Sequence, residues 1–164
     1  MKKIAVINDL SGFGKCSLTA AIPVISALGL ECCPMPTAVL SNQTGFESFY
    51  CDDFTDKMDF FTSEWKKLGV RFDGILTGFI ASHRQAEKIF RFLDEFQNDD
   101  TVFFCDPVMA DDGKIYDIYD KAMCDAVTRL AKRADIISPN LTELCVLTGE
   151  SFEARSASEL DDIA

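Results

Sequence analysis

Basic residues are scarce in this sequence. Its 164 residues contain 16 Lys and Arg against 27 Asp and Glu, which gives a formal net charge of −11. A surplus of negative charge repels phosphate backbones and argues against nucleic acid as the main partner. ATP is not excluded, because a nucleotide arrives with its own magnesium and meets local groups instead of the average field.

Long apolar runs are also missing. The first run covers only residues 4–7 and ends at Asn8-Asp9, which is too short for the apolar core of a signal peptide. No uninterrupted apolar stretch is long enough to span a bilayer. We therefore expect a soluble, cytoplasmic protein without a membrane partner.

Residues typical of nucleophilic hydrolases and zinc sites are few or unsuitably spaced. His83 is the only histidine, so an ordinary Ser-His-Asp or Cys-His arrangement would have to use it. We expect His83 at the start of a helix, in a surface or capping role. The seven cysteines contain no C-x-x-C pair, which favours free and mostly buried thiols over a metal site.

Short apolar runs alternate with amphipathic stretches along the whole chain. Strands are predicted at residues 4–7, 33–40, 73–79, 101–105 and 135–138. Helices are predicted at residues 18–28, 60–68, 86–96, 123–134 and 141–147. The second of these helices is expected to turn one apolar face, with Phe60, Phe61, Trp65 and Leu68, toward the core. Pro34 and Pro36 favour an edge position for the second strand. The alternation predicts an α/β fold with three αβα layers and a mainly parallel sheet, in one domain over residues 1–164.

The end of the sequence carries a helix-start signature. Ser156 to Glu159 read as a capping box, and the sequence stops a few residues later at Ala164. A helix whose apolar face has nothing to cover is an unusual end for an α/β domain. We therefore expect a truncated domain that is incomplete at its C-terminus.

Ligands of an open parallel sheet bind at the carboxyl ends of its strands, so the residues after each apolar run are the candidates. Ser11 to Lys15 follow the first run. This loop lacks the third glycine of a dinucleotide fingerprint and the Ser or Thr of a Walker A loop. A flexible turn between a strand and a helix is an equally simple interpretation.

Two later strand ends carry oxygen-rich motifs. Asp106-Pro107 is followed by Asp111 and Asp112 in a glycine-containing loop, which suits Mg²⁺ and its phosphates or, alternatively, is a solvated acidic turn. Asn140 and Glu143 form a reciprocal capping signature for the next helix. The same geometry would present both side-chain oxygens to magnesium-bound water.

Together these motifs resemble a known family. Asp106-Pro-Val-Met-x-Asp-x-Gly-Lys-x-Tyr116 and Ser138-Pro-Asn-x-x-Glu143 resemble the paired signatures of the pyridoxal kinases and the related hydroxymethylpyrimidine kinases of the ribokinase-like superfamily. The segments Asn8 to Gly14 and Ser41 to Gly45 look like the substrate segments of the pyridoxal/pyridoxamine branch.

The resemblance implies phosphoryl transfer from ATP to the 5′-hydroxymethyl group of pyridoxal, pyridoxamine or pyridoxine, with Mg²⁺, a monovalent cation and a homodimeric assembly. By their positions in the motifs, the residues expected at the vitamer are Ser11, Thr44, Gly45, Phe79 and Asp111. Those expected at ATP are Asp106, Ser138 and Glu143, and those expected at the metal and its water are Asp106, Asn140 and Glu143. Two residues depart from the family pattern, since many relatives carry tyrosine at Phe79 and glycine at Ala110.

The family mechanism needs two further parts, an aspartate that takes the hydroxyl proton and glycine-rich amides at a helix N-terminus. Relatives carry both in a G-T-G-D-like segment, and these 164 residues contain none. We therefore expect the base downstream of Ala164 and no turnover by this chain alone. The alternatives are a hydroxymethylpyrimidine kinase of thiamine synthesis and a non-catalytic nucleotide-binding module. A nicotinamide-dependent oxidoreductase is disfavoured by the incomplete fingerprint.

Overall fold

The computed structural model describes residues 1–152. Its strands are β1 (Lys3–Ser11), β2 (Glu31–Leu40), β3 (Cys51–Asp53), β4 (Gly74–Thr77), β5 (Val102–Cys105), β6 (Ala110–Asp111), β7 (Lys114–Ile115) and β8 (Ile136–Ile137). Its helices are α1 (Ser17–Ala27), α2 (Met58–Lys67), α3 (His83–Phe96), α4 (Lys121–Arg133) and α5 (Leu141–Thr148). Among residues 1–152, no helix is both long enough and apolar enough to cross a bilayer.

Six of the strands form one sheet in the order β3-β2-β1-β4-β5-β8. All neighbouring pairs are parallel except β2 and β3, which are antiparallel. Pro34 and Pro36 lie in the part of β2 that pairs with β1, whereas β3 pairs only with the last residues of β2, from Ala38 to Leu40. β2 is therefore not the edge strand that the prolines predicted, because β3 lies outside it. Within the described residues, however, no strand pairs with β2 on the outer side of Pro34 and Pro36.

Helices cover both faces of the sheet. Successive side chains of β1 point to opposite faces, so their neighbours show which helices pack on each side. Ala5 and Ile7 belong to a core cluster that also contains buried residues of α2, α3 and α4, among them Met58, Ile89, Phe92, Val127 and Leu130. Val6 packs instead with Leu18 and Ile25 of α1 on the opposite face. The predicted three-layer αβα arrangement is confirmed.

The helix signals of the sequence correspond to real ends. Ser82 caps α3 by accepting a hydrogen bond from the Gln85 amide, and α5 begins with the complete capping box of Asn140 and Glu143. Gly149 ends α5 with a φ of 79°, in the left-handed region that favours glycine. α1 runs through Pro23 and ends just before Gly29.

Some predictions were wrong. Residues 51–53 form a strand that the sequence did not suggest, and the predicted loop after Asp106 contains the β6–β7 hairpin. Phe60 and Leu68 do not lie on a core face: their exposed fractions are 68% and 75%, because α2 turns Phe61 and Trp65 toward the core instead. The capping signature at Ser156 to Glu159 lies outside the described residues.

Candidate active site

The carboxyl ends of four parallel strands are aligned in one row. Ile7 of β1 pairs in register with Thr77 of β4, which pairs with Cys105 of β5, which in turn pairs with Ile137 of β8. The residues that follow this row are the predicted site residues Phe79, Asp106 and Ser138. Parallel pairing therefore brings three motifs, far apart in the sequence, to the same edge of the sheet.

Asp106 and Ser138 contact each other at this edge. The Ser138 hydroxyl donates a hydrogen bond of 3.3 Å to Oδ1 of Asp106. Asp106 is half-buried, and its burial raises the pKa of its carboxyl group, while the bond from Ser138 lowers it. Within residues 1–152, no Lys, Arg or His forms an ion pair with Asp106 or Glu143.

Glu143 lies beneath the same edge and is only 4% exposed. Its Oε2 accepts a hydrogen bond of 2.9 Å from the Asn140 amide, and its Oε1 accepts one of 3.3 Å from the Met109 amide. Burial raises the pKa of Glu143, these backbone bonds lower it, and the nearby charge of Asp106 raises it further. The two acids are therefore electrostatically coupled.

The first turn of α5 fixes the loop that follows Asp106. Asn140 donates from Nδ2 to the carbonyl oxygen of Ala110 at 2.8 Å, while its Oδ1 accepts from the Glu143 amide at 2.9 Å. The Gly113 amide donates to the Thr142 hydroxyl at 2.9 Å, which anchors the β6–β7 hairpin. Asp111 is exposed on this hairpin, and its carboxylate accepts from the next amide in the chain.

These oxygens fit a hydrated magnesium ion better than a bare one. Within the described part of the chain, no three His, Cys, Asp or Glu side chains gather as a direct ligand set. Mg²⁺, however, keeps several waters and commonly uses only one or two carboxylates together with substrate phosphates. Two coupled carboxylates of raised pKa, with no cationic partner in residues 1–152, provide the negative charge that such an ion needs.

A second group of predicted residues lies where β1 and β2 end. Their exit loops are joined by backbone hydrogen bonds, from Gly12 to Leu40 at 2.9 Å and from Phe13 to Ser41 at 3.0 Å. A Cβ atom at Gly12 would lie 2.8 Å from the Ser41 carbonyl oxygen, so only glycine permits this approach. The loop continues into Thr44 and Gly45, which are exposed beside this junction.

Ser11 is the last residue of β1 and is 1% exposed. Its hydroxyl donates to Oδ2 of Asp9 at 2.9 Å, and Asp9 is itself buried. Since the single hydroxyl proton is used by Asp9, the Ser11 oxygen keeps lone pairs with which it can accept a hydrogen bond. No role was predicted for Asp9, although an acid just beyond the apolar run of residues 4–7 could have suggested one.

Phe79 is half-buried after β4 and packs against the core. Its ring centroid lies 6.4 Å from that of Tyr119. Its backbone is held from both sides, because its amide donates to Asn8 Oδ1 at 2.9 Å and its carbonyl accepts from the Thr37 hydroxyl at 3.1 Å. These partners were not predicted from the sequence, because they are 71 and 42 residues away from Phe79.

Two other features lie apart from these groups. His83 begins α3 on the surface, as expected, with Nε2 3.2 Å from the Asp120 carboxylate. A cavity of about 610 Å³ is lined by segments that precede β4 and β5, including Arg71 and Asp100. It therefore opens at the amino ends of the strands, where ligands of such sheets do not usually bind.

This chain is similar to known kinases. The model of the phosphomethylpyrimidine kinase family matches residues 14–164. A Bacteroides thetaiotaomicron protein assigned as a phosphomethylpyrimidine kinase is 44% identical, with a TM-score of 0.95 over 99% of this chain and 57% of its own. Its orthorhombic crystal form contains pyridoxal and gives a TM-score of 0.93.

Pyridoxal kinases are also similar. The Lactobacillus plantarum enzyme is 28% identical, with a TM-score of 0.88 over 98% of this chain and 57% of its own. Pyridoxal kinase PdxY of Aliivibrio fischeri is 27% identical over 91% of this chain and 54% of its own length. The chain thus spans about half the length of these relatives and shares the ribokinase-like fold.

Proposed function

Because this chain belongs to the phosphomethylpyrimidine kinase family, we propose that it acts in the ATP-dependent phosphorylation of the 5′-hydroxymethyl group of a B6 vitamer. The observation that supports this most directly is the gathering of Asp106, Ser138, Asn140 and Glu143 at one strand edge. The same edge continues to Ser11 and Phe79, so an acceptor would bind next to the triphosphate.

Pyridoxal is the acceptor that we propose first. The Bacteroides thetaiotaomicron protein holds pyridoxal in one crystal form and is 44% identical to this chain. Curated relatives that match over most of the chain are pyridoxal kinases. A second candidate acceptor is hydroxymethylpyrimidine, which is favoured by the matching family model and by the assignment of the same Bacteroides protein.

On the acceptor side, Ser11 would accept a hydrogen bond from a proton on the polar edge of the pyridine ring, since its own proton is held by Asp9. Thr44 and Gly45 would line the same pocket from the exposed loop after β2. Phe79 would form an apolar wall, and Asp111 would approach from the β6–β7 hairpin.

On the phosphate side, Asp106 and Glu143 would hold the charge of Mg²⁺ and its waters, with Asn140 orienting that water shell. When bound, the ion supplies positive charge that neutralises the oxygens of the transferred phosphoryl group. Ser138 fixes the orientation of the Asp106 carboxylate through its hydrogen bond. None of these residues is proposed as the base that takes the hydroxyl proton, so we do not expect turnover by residues 1–164 alone.

The proposal also covers the domain organisation, the monovalent cation and the assembly of the protein. Residues 1–164 would form one incomplete ribokinase-like domain, and a monovalent cation and a homodimer follow from the resemblance. Sedimentation of the complete natural chain tests the homodimer, and activity with potassium or sodium salts tests the cation.

The acceptor assignment can be tested with the complete natural chain, ATP and Mg²⁺, and either pyridoxal or hydroxymethylpyrimidine. We expect pyridoxal 5′-phosphate to form with the higher kcat/KM, and Asp106→Asn to abolish most of the rate. A preference for hydroxymethylpyrimidine would transfer the assignment to the second candidate. Nucleotide binding without phosphorylation of either acceptor would instead favour a non-catalytic module.

A further inference from the structure

The segment that carries Phe79 is held by side chains from several different elements. It connects β4 to α3, and its backbone groups have partners far away in the sequence. The Phe79 amide binds Asn8, the Phe79 carbonyl binds Thr37, the Ile80 carbonyl binds Tyr119 and the Ala81 amide binds Gln85. We call these four partners, Asn8, Thr37, Gln85 and Tyr119, the loop clamp.

The loop clamp is buried and its contacts are short. Thr37 and Gln85 are 0% exposed, and Asn8 and Tyr119 are below 10%. Gln85 accepts from the Ala81 amide at 2.8 Å and donates to the Thr37 carbonyl at 2.8 Å. It also donates to the Thr55 hydroxyl at 2.9 Å. Because the donors and the acceptor of this buried amide are all used inside the protein, its rotamer is fixed.

The segment also has no room to shift toward β1. A Cβ atom at Gly78 would lie 2.3 Å from Nδ2 of Asn8, so the backbone passes directly against that side chain. Gly78 in addition donates to the Ile7 carbonyl at 3.0 Å. The position of the Phe79 backbone, from which the ring projects, is therefore set by contacts with β1, β2 and α3 together.

We propose that Thr37 is a positioning residue for the acceptor pocket and acts through Phe79. Gln85 holds Thr37 in place through its hydrogen bond to the Thr37 carbonyl. This inference rests on the proposed function, because it takes Phe79 as a wall of that pocket. The Thr37 hydroxyl itself is buried behind the Phe79 carbonyl and does not reach the pocket. Removal of the hydroxyl leaves that carbonyl without its partner and allows the segment to rotate, which moves the ring.

The test compares Thr37→Val with Thr37→Ser in the complete natural chain, each alone and combined with Phe79→Ala. Thr37→Val should raise the KM for pyridoxal about 3- to 10-fold, as expected for the loss of one buried hydrogen bond. The KM for ATP and kcat should stay within about twofold, because the Asp106–Glu143 side keeps its own contacts. Thr37→Ser, which restores the hydroxyl, should recover the KM of the unmodified chain.

The double variant decides whether Thr37 acts through Phe79. In the Phe79→Ala background, Thr37→Val should raise the KM no further, since coupled residues are not additive. An equal additional rise would overturn the inference, as would an equal loss of affinity for ATP. Thr62→Val is the matched control, because the Thr62 hydroxyl binds the Met58 carbonyl within α2 and should leave both KM values unchanged.

Hydrogen exchange separates this inference from the proposed function. The amides of Phe79 and Ala81 should exchange about 3- to 10-fold faster in Thr37→Val but not in Thr62→Val. Unchanged exchange would overturn the inference whatever the activity. Faster exchange, in a protein that does not phosphorylate pyridoxal, would support the clamp and count only against the proposed function.

Discussion

Replacing Asp106 with Asn should separate activity from stability. The change keeps the size of the side chain and removes one charge. Turnover of the complete natural chain should fall about 10²- to 10³-fold, as when one preorganised electrostatic contact is lost. Stability should not fall with it, because the carboxylate has no ionic partner in residues 1–152 and its bond to Ser138 is a long 3.3 Å.

The expected change in the free energy of unfolding is the sum of one unfavourable effect and two favourable ones. Asparagine loses part of the bond to Ser138, which costs about 0.5–1.5 kcal/mol. The substitution removes the cost of burying a charge, which raises the pKa of Asp106, and it removes the repulsion between Asp106 and Glu143. At pH 7.5 we expect the free energy of unfolding of Asp106→Asn to be equal to that of the unmodified protein or up to about 1 kcal/mol higher. Substitutions at functional sites can stabilise a protein in this way, because such sites trade stability for activity.

The stability difference between Asp106→Asn and the unmodified protein should depend on pH. Burial raises the pKa of folded Asp106 above its ordinary value of 3.8, so the folded state binds the proton more tightly than the unfolded state. The stability that this proton binding contributes is fully present in acid and is lost as the pH rises through the folded pKa. The stability of Asp106→Asn relative to the unmodified protein should therefore increase from about pH 3.8 upward and then level off.

Urea unfolding across this pH range, with and without Mg²⁺, provides the measurement. Asp125→Asn is the matched control, since Asp125 is an exposed acid of α4 that pairs with Lys121 at 3.4 Å. Magnesium with ATP should stabilise the unmodified protein and the control but not Asp106→Asn. A variant that unfolds much more easily at neutral pH while keeping its turnover would refute the reasoning.

Three further substitutions test the site from other sides. Ser11→Ala should raise the KM for pyridoxal about tenfold without changing the KM for ATP; unchanged steady-state kinetics would remove Ser11 from the pocket. Gly12→Ala places a Cβ atom 2.8 Å from the Ser41 carbonyl, so thermal unfolding should show a loss of about 1–3 kcal/mol. An unchanged Tm would mean that the two loops are not in contact. Thr142→Val removes the acceptor of the Gly113 amide, so residues 110–115 should exchange hydrogen about 3- to 10-fold faster, and equal exchange rates would contradict the docking of the hairpin.

The parts of the fold that the sequence predicted are those with a strong local signal. β4 and β5 are short apolar runs, and α3 and α4 carry apolar residues at helical spacing. The capping box of α5 was readable because both of its members lie within one turn. Local chemistry alone was enough in these cases.

The missed strands have no such signal. β3 consists of Cys51, Asp52 and Asp53, all exposed, and it is a strand only because the end of β2 pairs with it. The β6–β7 hairpin has two residues a side and is held by its contacts with α5. Phe60 was assigned to the core because of its spacing with Phe61, Trp65 and Leu68, although its position on α2 points to solvent. Each of these features depends on tertiary contacts that the sequence pattern does not contain.

The sequence predicted candidate site residues only where they stand in motifs at the strand ends. Asp106, Asn140 and Glu143 stand in recognisable motifs, whereas Thr37 and Gln85 are single polar residues in otherwise ordinary segments. Their role follows from contacts across 42 and 48 residues. Buried residues that hold a neighbouring segment through long-range hydrogen bonds are therefore harder to predict than residues that stand in a motif.

The hydrogen-bond partners of buried polar groups separate these two kinds of residue. Gln85 is satisfied by the protein on its amide nitrogen and its oxygen, which is what a structural group of a folded core requires. Asp106 is different, because it is half-buried with a raised pKa and one long hydrogen bond. A carboxylate in that state is unfavourable for the protein alone and becomes favourable when a cation with its phosphates binds beside it. The lack of a cationic partner for Asp106 in residues 1–152, and not the number of acids near it, is what makes this strand edge a candidate for phosphoryl transfer.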